Sequence, residues 1–396
     1  MHDFSVGRRS FLAGGLGLVA GLPSSGRTLG EPRRAYGERA PAEHAERFFR
    51  ASATPGTGTS RTPLQDALGI ITPSSLHFES HHSGVPDLDP ALHELLVHGL
   101  VERPIALTRN ELRRLPTVAR IHFLECAGNS WQLHAGKTVS GVQESHGLIS
   151  CNEWTGVPLG TLLREVGLRP GARWVVAEGG DASRHARSIP LAKAMDDVLV
   201  AFGQNGEPLR PEQGYPMRLL VPGWEGNVSV KWLRRLHVTD APAMTRDEAA
   251  KYTDLGPDGR AQQFSFEMEV KSVVVSQGPG GRLERRGPHQ VSGLAWSGLG
   301  RVTRVDVSLD GGSTWKEAAL EDRGLPKAFT RFTLPMRWQG EELLVQSRAW
   351  DETGARQPTR EELVSARGLR EGPDGFDHYN GITGWRIARD GTVRHG

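Results

Sequence analysis

One cysteine of the sequence stands where a strand-like run turns into a loop. Cys126 lies in HFLECAGNS, residues 122–130, after a β-forming run and before Ala-Gly-Asn. A thiolate in this position could ligate a soft, high-valent metal ion, because sulfur donates well to such ions. A single cysteine after an apolar strand is, however, more often a small buried hydrophobic residue. The residue alone therefore leaves both metal ligation and core packing open.

The other candidates for chemistry carry weaker signals. Cys151, in SCNEW, has no soft ligand or base among its neighbours, and we predict that it is structural. Two cysteines exclude a disulfide framework, although a single bond remains conceivable. His134, His146 and His185 lack the spacing of metal ligands and are expected to be exposed or to be satisfied core residues. The sequence has no Cys-x-x-Cys-His haem motif, no Gly-x-Gly-x-x-Gly between a strand and a helix, and no Walker loop. A redox cofactor would have to be held in another way.

The composition favours two or three packed domains with many turns. The 396 residues include 10 Trp and 12 Phe, enough for packed cores, and 49 Gly with 25 Pro, which indicate β-rich or mixed structure. The net charge is only +2, and basic residues are scattered among acidic ones. Such a mixed surface gives no reason to expect nucleic acid as a partner.

The N-terminus has the pattern of an export signal. Arg8 and Arg9 precede Ser-Phe-Leu, and the apolar stretch 11–22 is shorter than the roughly 20 residues that a membrane span needs. Paired arginines before a short apolar region resemble a twin-arginine signal, which we predict over residues 1–30. An uncleaved N-terminal anchor is the alternative, and the cleavage site stays open. Residues 31–62, rich in Gly, Pro, Ser and Arg, are predicted to be a linker or an extended arm.

Two kinds of element pattern follow the linker. Residues 63–262 alternate strands with helices, and we predict a mixed α+β domain with one principal core. Thr108 and Glu111 form a capping box before a short helix. Apolar residues at the spacing i, i+3, i+4 and i+7 predict a second helix over 159–166 that ends at Gly167. The strand-like runs in this domain are Ile121–Leu124, Trp174–Ala177 and Arg218–Val221.

The C-terminal part has the pattern of a β-sandwich. Residues 263–370 carry short strand signals separated by turns such as Asp310-Gly311-Gly312. Helix patterns are nearly absent until Thr359–Ala366. About 100 residues of this kind fit an immunoglobulin-like sandwich. Residues 371–396 are predicted to be a tail that packs back on the body.

The neighbours of Cys126 resemble a known family. ECAGN resembles the segment that supplies the single protein ligand to molybdenum in the sulfite oxidase family. The segment KYTDLGPDGRAQQF is most similar to the bacterial sulfur-oxidation branch, whose molybdenum subunit works with a cytochrome c. The sandwich resembles the family's dimerisation domain. The remaining matching segments, in family order, are residues 70–90, 96–112, 153–163, 187–209 and 214–233.

The resemblance implies roles for individual residues. Cys126 is the expected thiolate ligand of molybdenum, and Tyr252 matches the tyrosine beside the substrate. His82, with His81 as its neighbour, matches the histidine on the pterin. The remaining positions expected to hold the pterin and its phosphate are Asp181, Gln213, Arg218, Ser229, Val230 and Lys231.

Three positions depart from the vertebrate and plant pattern. Ser80 and Val228 stand where that pattern has arginines, and Gln213 replaces a pterin-contacting histidine. The loss of two cations near an anion pocket should weaken the binding of free sulfite. A sulfane or sulfonate sulfur on a carrier protein is therefore a substrate hypothesis beside sulfite.

The resemblance implies a molybdenum-molybdopterin enzyme that oxidises a small sulfur anion or a carrier-bound sulfur by oxygen-atom transfer. It also implies a cytochrome c acceptor, and a homodimer or a heteromer with a cytochrome subunit. The N-terminal signal predicts a periplasmic or extracytoplasmic location, with export of the folded chain by the twin-arginine route. Three alternatives stay open. They are a molybdenum sulfoxide reductase, whose relatives generally lack the sandwich, a cofactor-less scaffold or binding subunit of a sulfur-oxidation complex, and a general exported β-sandwich binding protein.

Overall fold

The computed structural model describes residues 40, 42–52, 54, 56–256, 258–276, 278, 280–321, 324–368 and 378–396. The predicted signal peptide, the first part of the predicted linker and residues 371–377 of the predicted tail lie outside the described residues. Every helix and strand described below lies in one compact unit within Ala45–Gly396. Over the described residues, no helix has the length and apolar character needed to cross a membrane.

The N-terminal region is built from strands of two to ten residues and helices of four to eight residues. Its strands are β1 (Phe48–Ala51), β2 (Gly58–Arg61), β3 (Glu79–His81), β4 (Glu94–Gly99), β5 (Ile105–Thr108), β6 (Val118–Glu125), β7 (Ile149–Pro158), β8 (Trp174–Gly179), β9 (Ala186–Pro190), β10 (Leu199–Gln204), β11 (Glu207–Pro208), β12 (Arg218–Leu220), β13 (Leu233–Thr239), β14 (Thr253–Leu255) and β15 (Ala261–Gln263). Its helices are α1 (Arg109–Leu112), α2 (Trp131–His134), α3 (Val142–His146), α4 (Leu159–Val166) and α5 (Leu191–Asp196).

Three sheets organise this region. The first has the order β1-β2-β3, and the second has the order β11-β10-β7-β6, with β12 also paired to β10. The third has the order β5-β4-β13-β8-β9, in which β4 runs parallel to β13. Strands β14 and β15 form a separate hairpin. Helices and strands therefore alternate along the chain, as the sequence predicts.

Local sequence signals explain the two helices that the sequence predicts. In α1 the Thr108 side chain accepts a hydrogen bond from the Glu111 amide, and the Glu111 carboxylate accepts one from the Thr108 amide. In α4 the residues at i, i+3, i+4 and i+7 are all buried, and Gly167 ends the helix with φ of 71°. A glycine adopts this left-handed conformation without the steric cost of a Cβ atom.

The C-terminal region is a two-sheet sandwich. Its strands are β16 (Lys271–Val274), β17 (Gly287–Trp296), β18 (Val302–Ser308), β19 (Lys316–Glu317), β20 (Ala319–Leu320), β21 (Thr330–Trp338), β22 (Leu343–Asp351), β23 (Gly384–Ile387) and β24 (Val393–His395), and it also holds helix α6 (Arg360–Arg367). One sheet has the order β16-β17-β21-β20 and the other β19-β18-β22-β23-β24. Alternating burial along β22 fits one face turned to the core.

Two segments that the sequence assigns to linker or tail join sheets instead. Residues 48–61 form the β1–β2 hairpin, which pairs through β2 with β3. Strands β23 and β24 extend the sandwich, with Trp385 and Ile387 fully buried. The hairpin is short and rich in Gly, Ser and Thr, so it carries little of the apolar alternation that indicates a strand. Residues 384–395 lie in a sheet of the sandwich.

Buried residues of the N-terminal region lie in three clusters. Neighbouring residues of β6 point to opposite faces of its sheet. Phe123, paired with Cys151 on β7, packs in the same cluster as the sandwich core. Leu124 faces the other side, in a smaller cluster with Trp154. A third cluster surrounds α4. The strand that leads to Cys126 is therefore fixed by the sandwich on one face.

Candidate functional site

A single cavity gathers most of the predicted site residues. It opens to solvent, and the centre of a water molecule can occupy about 80 Å³ of it. Its walls come from the chain around β3, the end of β6, and the segments around β12 and Tyr252. The lining residues are His77, Phe78, Ser80, His81, His82, Leu124, Cys126, Asp181, His185, Gln213, Arg218, Gly226, Asn227, Ser229, Lys231, Trp232 and Tyr252.

Nine of the ten predicted residues line this cavity, and Val230 does not. The Val230 side chain is 1% exposed and packs in the core cluster around α4. Val228 lies in the same cluster and is fully buried. Ser229, which lies between these two valines, and Lys231, which follows Val230, line the cavity. The replacement of an arginine at position 228 therefore changes the core under the site, whereas Ser80 changes the cavity wall itself.

Cys126 lies at the first position after β6. Its amide donates to the Leu148 carbonyl at 2.9 Å, and its own carbonyl accepts from the Asn129 amide at 2.9 Å. Burial raises the pKa of the Cys126 thiol, and the Gly128 amide, Arg61 and Ser80 act in the opposite direction.

The thiols of Cys126 and Cys151 are both free, so the conceivable disulfide between them is not formed. Cys151 is buried in the core, where burial raises its pKa to about 12, in agreement with a structural role.

Two cations, the buried Arg218 and the partly buried Lys231, face the cavity without a carboxylate in hydrogen-bond contact. Arg218 donates to the carbonyl oxygens of Leu219, Gln213 and Ser229 at 3.3, 3.0 and 2.8 Å. Lys231 donates to the carbonyl oxygens of Ser80 and Glu212 at 3.0 and 3.2 Å. Burial lowers the pKa of Arg218 to about 9 and that of Lys231 to about 7. Because buried charge is costly unless it is paired, this wall of the cavity is built to receive an anion.

The histidines beside Lys231 are neutral hydrogen-bonding groups. His81 Nδ1 lies 2.9 Å from the Lys231 ammonium, and its Nε2 lies 2.9 Å from the Glu79 carboxylate. Burial lowers the pKa of His81 to about 3, with Lys231 as the next cause. His81 is therefore an uncharged acceptor for the lysine. Gln213 is 2% exposed and donates to the Phe78 carbonyl at 3.0 Å. This hydrogen bond joins the segment before β12 to the segment before β3.

Asp181 supplies one anionic group in the cavity wall. Its carboxylate accepts hydrogen bonds from the hydroxyls of Ser83 at 2.9 Å and Ser183 at 2.7 Å, and from the His185 amide at 3.0 Å. Burial acts to raise the pKa of Asp181, but these three hydrogen bonds outweigh it and hold the pKa below its usual range. Asp181 is therefore an ionised acceptor at neutral pH.

Tyr252 is held on three sides. Its hydroxyl lies 3.2 Å from His82 Nε2, and its ring lies 6.1 Å from the His185 ring in an edge-on arrangement. The Arg187 guanidinium sits 4.8 Å from the ring centroid and pairs with the buried Glu248 at 2.9 Å. Burial raises the pKa of Tyr252, so its phenol stays protonated. The arrangement presents a hydrogen-bond donor to the cavity.

Sequence reasoning missed two histidines of the cavity. His185 lines it and bonds the Asn227 carbonyl through Nε2 at 2.7 Å. His77 is fully buried, and its Nδ1 lies 2.6 Å from Asn152 Oδ1, whereas its Nε2 has no partner among the described residues. His77 lies in the matching segment 70–90 together with His81 and His82, but no motif distinguishes His185. Among the described residues, no three His, Cys, Asp or Glu side chains are grouped as a metal site.

Gly226 allows the backbone beside Cys126 to approach closely. A Cβ atom at this position would lie 2.7 Å from the Glu125 carbonyl oxygen and 3.4 Å from the Cys126 amide nitrogen. We expect Gly226→Ala to displace the Cys126 backbone and to lower kcat by about tenfold or more, since small misplacement of reacting groups is costly. Steady-state kinetics of the purified variant would measure the effect.

A matched control for this variant is Gly206→Ala. Gly206 adopts a left-handed conformation, but a Cβ atom there would meet nothing within 4 Å. Its cost should be confined to stability. A Gly226→Ala protein that binds its full complement of cofactor and has the wild-type kcat would contradict the prediction that a Cβ atom at position 226 displaces Cys126.

The comparisons with known proteins agree with this geometry. Residues 82–246 match the oxidoreductase molybdopterin binding domain, and residues 262–373 match the Mo-co oxidoreductase dimerisation domain. The chain belongs to the sulfite oxidase family of molybdopterin oxidoreductases. Its cofactor is accordingly the molybdenum-molybdopterin of that family. The predicted fold class, a sulfite-oxidase-like α+β domain followed by the dimerisation sandwich, is confirmed.

Individual relatives give the extent of the similarity. The crystal structure of the sulfane dehydrogenase SoxCD from Paracoccus pantotrophus is 44% identical, covers 96% of this chain and 97% of that one, and superposes with a TM-score of 0.88. Sulfite oxidase of Gallus gallus is 35% identical over 73% of this chain and 68% of its own length. The NADH nitrate reductase of Ulva prolifera is 34% identical over 66% of this chain and 34% of its own length. The chain thus spans only about a third to a half of the first curated relatives that it matches.

Proposed function

We propose that this protein oxidises sulfite, or a sulfane or sulfonate sulfur held on a carrier protein, and passes the electrons to a cytochrome c. The observation that carries the proposal is the 44% identity to the sulfane dehydrogenase over 96% of the chain. The cavity supports it, because Cys126 and Tyr252 line the same space as Arg218 and Lys231.

The resemblance at Arg8 and Arg9 supports export by the twin-arginine route, which cell fractionation would test.

The residues of the cavity fit a molybdenum-pterin. The Cys126 thiolate is a suitable ligand for the metal. The hydrogen-bond partners of Arg218 and Lys231 are main-chain carbonyls and, for Lys231, the neutral His81, so their charge is available to the pterin phosphate. Asp181, Ser229 and Gln213 offer acceptors and donors to the pterin ring, with His81 and His82 beside them. When bound, the molybdenum centre supplies oxygen-atom transfer to sulfur and takes up two electrons.

Tyr252 and His82 would act on the substrate. The protonated phenol would donate its one hydrogen bond to an oxygen of the sulfur oxyanion, and His82, protonated at Nε2, would donate to the phenol oxygen across the 3.2 Å contact. The Arg187 guanidinium against the ring fixes the side chain from behind. These groups bind and orient the substrate, and they need not ionise during the reaction.

Removal of the Tyr252 hydroxyl tests this role. We expect Tyr252→Phe to lower kcat/KM by about tenfold to a hundredfold, because a hydrogen bond to a charged group contributes about 1.5–3 kcal/mol. The phenyl ring keeps the Arg187 and His185 contacts, so molybdenum content and melting temperature should stay at wild-type values. The role would be contradicted by a fully loaded variant whose kcat/KM equals that of wild type.

The identity of the sulfur substrate is the finer part of the proposal. Ser80 lines the cavity where an arginine would add a cation for a free dianion. The two cations that are present, Arg218 and Lys231, are the ones that we propose to bind the pterin phosphate. A sulfur atom carried on a protein brings its own docking energy and less charge, so we favour the carrier-bound substrate.

A comparison of two substrates separates these possibilities. Reduction of cytochrome c is followed with free sulfite and with a carrier peptide that ends in a cysteine persulfide. We expect a higher kcat/KM for the carrier-bound sulfane. Rapid turnover of free sulfite with no turnover of the carrier would reject the carrier hypothesis and keep the enzyme class.

The oligomeric state belongs to the same proposal. The dimerisation domain is present, and it supports association of the chain. We propose a homodimer through the sandwich, or a heteromer in which a cytochrome subunit is added. Light scattering of the purified protein, alone and with the cytochrome, would distinguish the two assemblies.

A further inference from the structure

We propose that Lys271, a residue of the sandwich, is a positioning residue for Cys126. The segment 125–130, which we call the cysteine loop, lies in the N-terminal region, but its two ends are held by one lysine of β16. The inference rests on the proposed function for its meaning, although the geometry stands by itself.

Lys271 bridges the start and the end of the cysteine loop. Its side chain is fully buried, and its ammonium lies 3.0 Å from Glu125 Oε1 and 3.0 Å from Ser130 Oγ. Glu125 directly precedes Cys126, and Ser130 is the last residue before α2. The lysine therefore fixes the distance between the two residues that enclose the loop.

The Glu125 carboxylate collects further donors. Trp296 of the sandwich donates its indole N–H to Glu125 Oε2 at 2.7 Å. Asn129, within the loop, donates to Glu125 Oε1 at 2.8 Å and to the His146 carbonyl at 3.0 Å. Each carboxylate oxygen thus receives at least one hydrogen bond, two of the donors coming from the sandwich. A buried carboxylate in this state strongly favours one geometry.

The backbone of the loop needs such support. Ser130 has φ of 69°, in the left-handed region that a residue with a Cβ atom adopts at a cost. Conformations of this kind persist where surrounding contacts over-determine them. The Lys271 hydrogen bond to the Ser130 hydroxyl is one of those contacts. Without it the loop can relax, and Cys126, four residues earlier, would move with it.

The sandwich therefore contributes to the active site as well as to association. Loss of the ammonium would leave the Glu125 carboxylate buried beside Cys126 with reduced compensation, which destabilises the loop. The substrate side of the cavity, with Tyr252 and His82, shares no contact with Lys271. The expected signature is a change at the metal ligand and in kcat, with little change in KM.

The test compares Lys271→Met with a matched sandwich variant, Arg348→Met. Arg348 pairs with the fully buried Asp306 at 3.1 Å and does not touch the cysteine loop. In holoenzyme of each variant, we would measure the visible thiolate-to-molybdenum absorption band, kcat, KM and melting temperature. We expect Lys271→Met to shift the band and to lower kcat by about tenfold or more, with KM within about twofold. Arg348→Met should lower the melting temperature alone.

A lower melting temperature in Lys271→Met, with unchanged absorption and kcat, would overturn the proposal in favour of a purely structural role. If Lys271→Met does not fold, Trp296→Phe is the second variant. It keeps an aromatic ring at this position and removes the indole N–H that donates to Glu125. It should shift the band in the same direction by a smaller amount, and an unshifted band would also overturn the proposal.

A metal-independent readout separates this inference from the proposed function. The protein has two thiols, and Cys151 is buried, so alkylation of the folded chain reports on Cys126. Protein without molybdenum would refute the proposed function but not the positioning role. In such protein Lys271→Met should change the alkylation rate by about tenfold, and an equal rate in wild type and variant would overturn the positioning role.

Discussion

Replacement of Cys126 by serine is expected to abolish sulfur oxidation. Cys126 is the thiol in the cavity wall, at the first position after β6, and a serine hydroxyl is a much poorer ligand for a soft, high-valent metal. The loss in kcat should exceed about a hundredfold, because removal of an outer partner of a metal ligand already costs about ten- to a hundredfold. Steady-state assays with a sulfur substrate and cytochrome c would measure it, with molybdenum determined on the same samples.

The second cysteine provides the control for this experiment. Cys151→Ala removes a fully buried thiol from the core shared with the sandwich, so it should lower stability and leave activity per bound molybdenum unchanged. Cys126→Ser should show the reverse, a near-native melting temperature with activity lost. A Cys126→Ser protein that turns over at the wild-type rate would contradict the assignment of Cys126 as the metal ligand.

Replacement of Arg218 by methionine is expected to produce protein that cannot retain the cofactor. The change removes a buried cation whose hydrogen bonds all go to main-chain carbonyls. A phosphate bound nearby would lose a charge-assisted partner contributing about 1.5–3 kcal/mol, a factor of about ten to a hundred in affinity. We expect molybdenum and pterin content to fall below about a tenth of wild type after dialysis. Arg218→Lys, which keeps the charge and loses the planar fork, should retain an intermediate amount.

Arg331→Met is the matched control for the loss of carbonyl hydrogen bonds. Arg331 is 8% exposed and donates to the carbonyl oxygens of Ala67 and Gly69 at 2.7 and 2.9 Å, but it does not line the cavity. Both variants should lower the free energy of unfolding, by roughly 1–3 kcal/mol for the unsatisfied groups. Arg218→Met alone should lose the cofactor. Equal cofactor content in the two variants would show that Arg218 is only a structural residue.

Local signals in the sequence predicted the elements that depend on neighbours along the chain. The capping box at Thr108 and the apolar period of α4 each specify a helix within a few residues. The sharing of the β6 faces between two cores could not be predicted in this way, because it depends on a sandwich that begins more than 140 residues later. The strands β1 and β2 were missed because their residues carry little apolar alternation, although β1 pairs with β2 and β2 with β3.

The candidate site shows the same division. Cys126, Tyr252 and the pterin residues were predicted from a resemblance, and the structure brings all but Val230 to one cavity. The alternation over Val228-Ser229-Val230-Lys231, with apolar residues in the core and polar ones in the cavity, was a readable signal for the exception. No sequence pattern indicated His185 or the link from Lys271 to the cysteine loop, because both arise from contacts between distant segments.

The most direct test of the central claim is the molybdenum and pterin content of wild-type protein purified from cofactor-competent cells. Cytochrome c reduction by sulfite and by a carrier-bound sulfane would be measured on the same preparation. We expect about one molybdenum and one pterin per chain, with electrons delivered from at least one of the two substrates. Folded protein that contains neither metal nor pterin would contradict the account and would favour a scaffold or binding subunit instead.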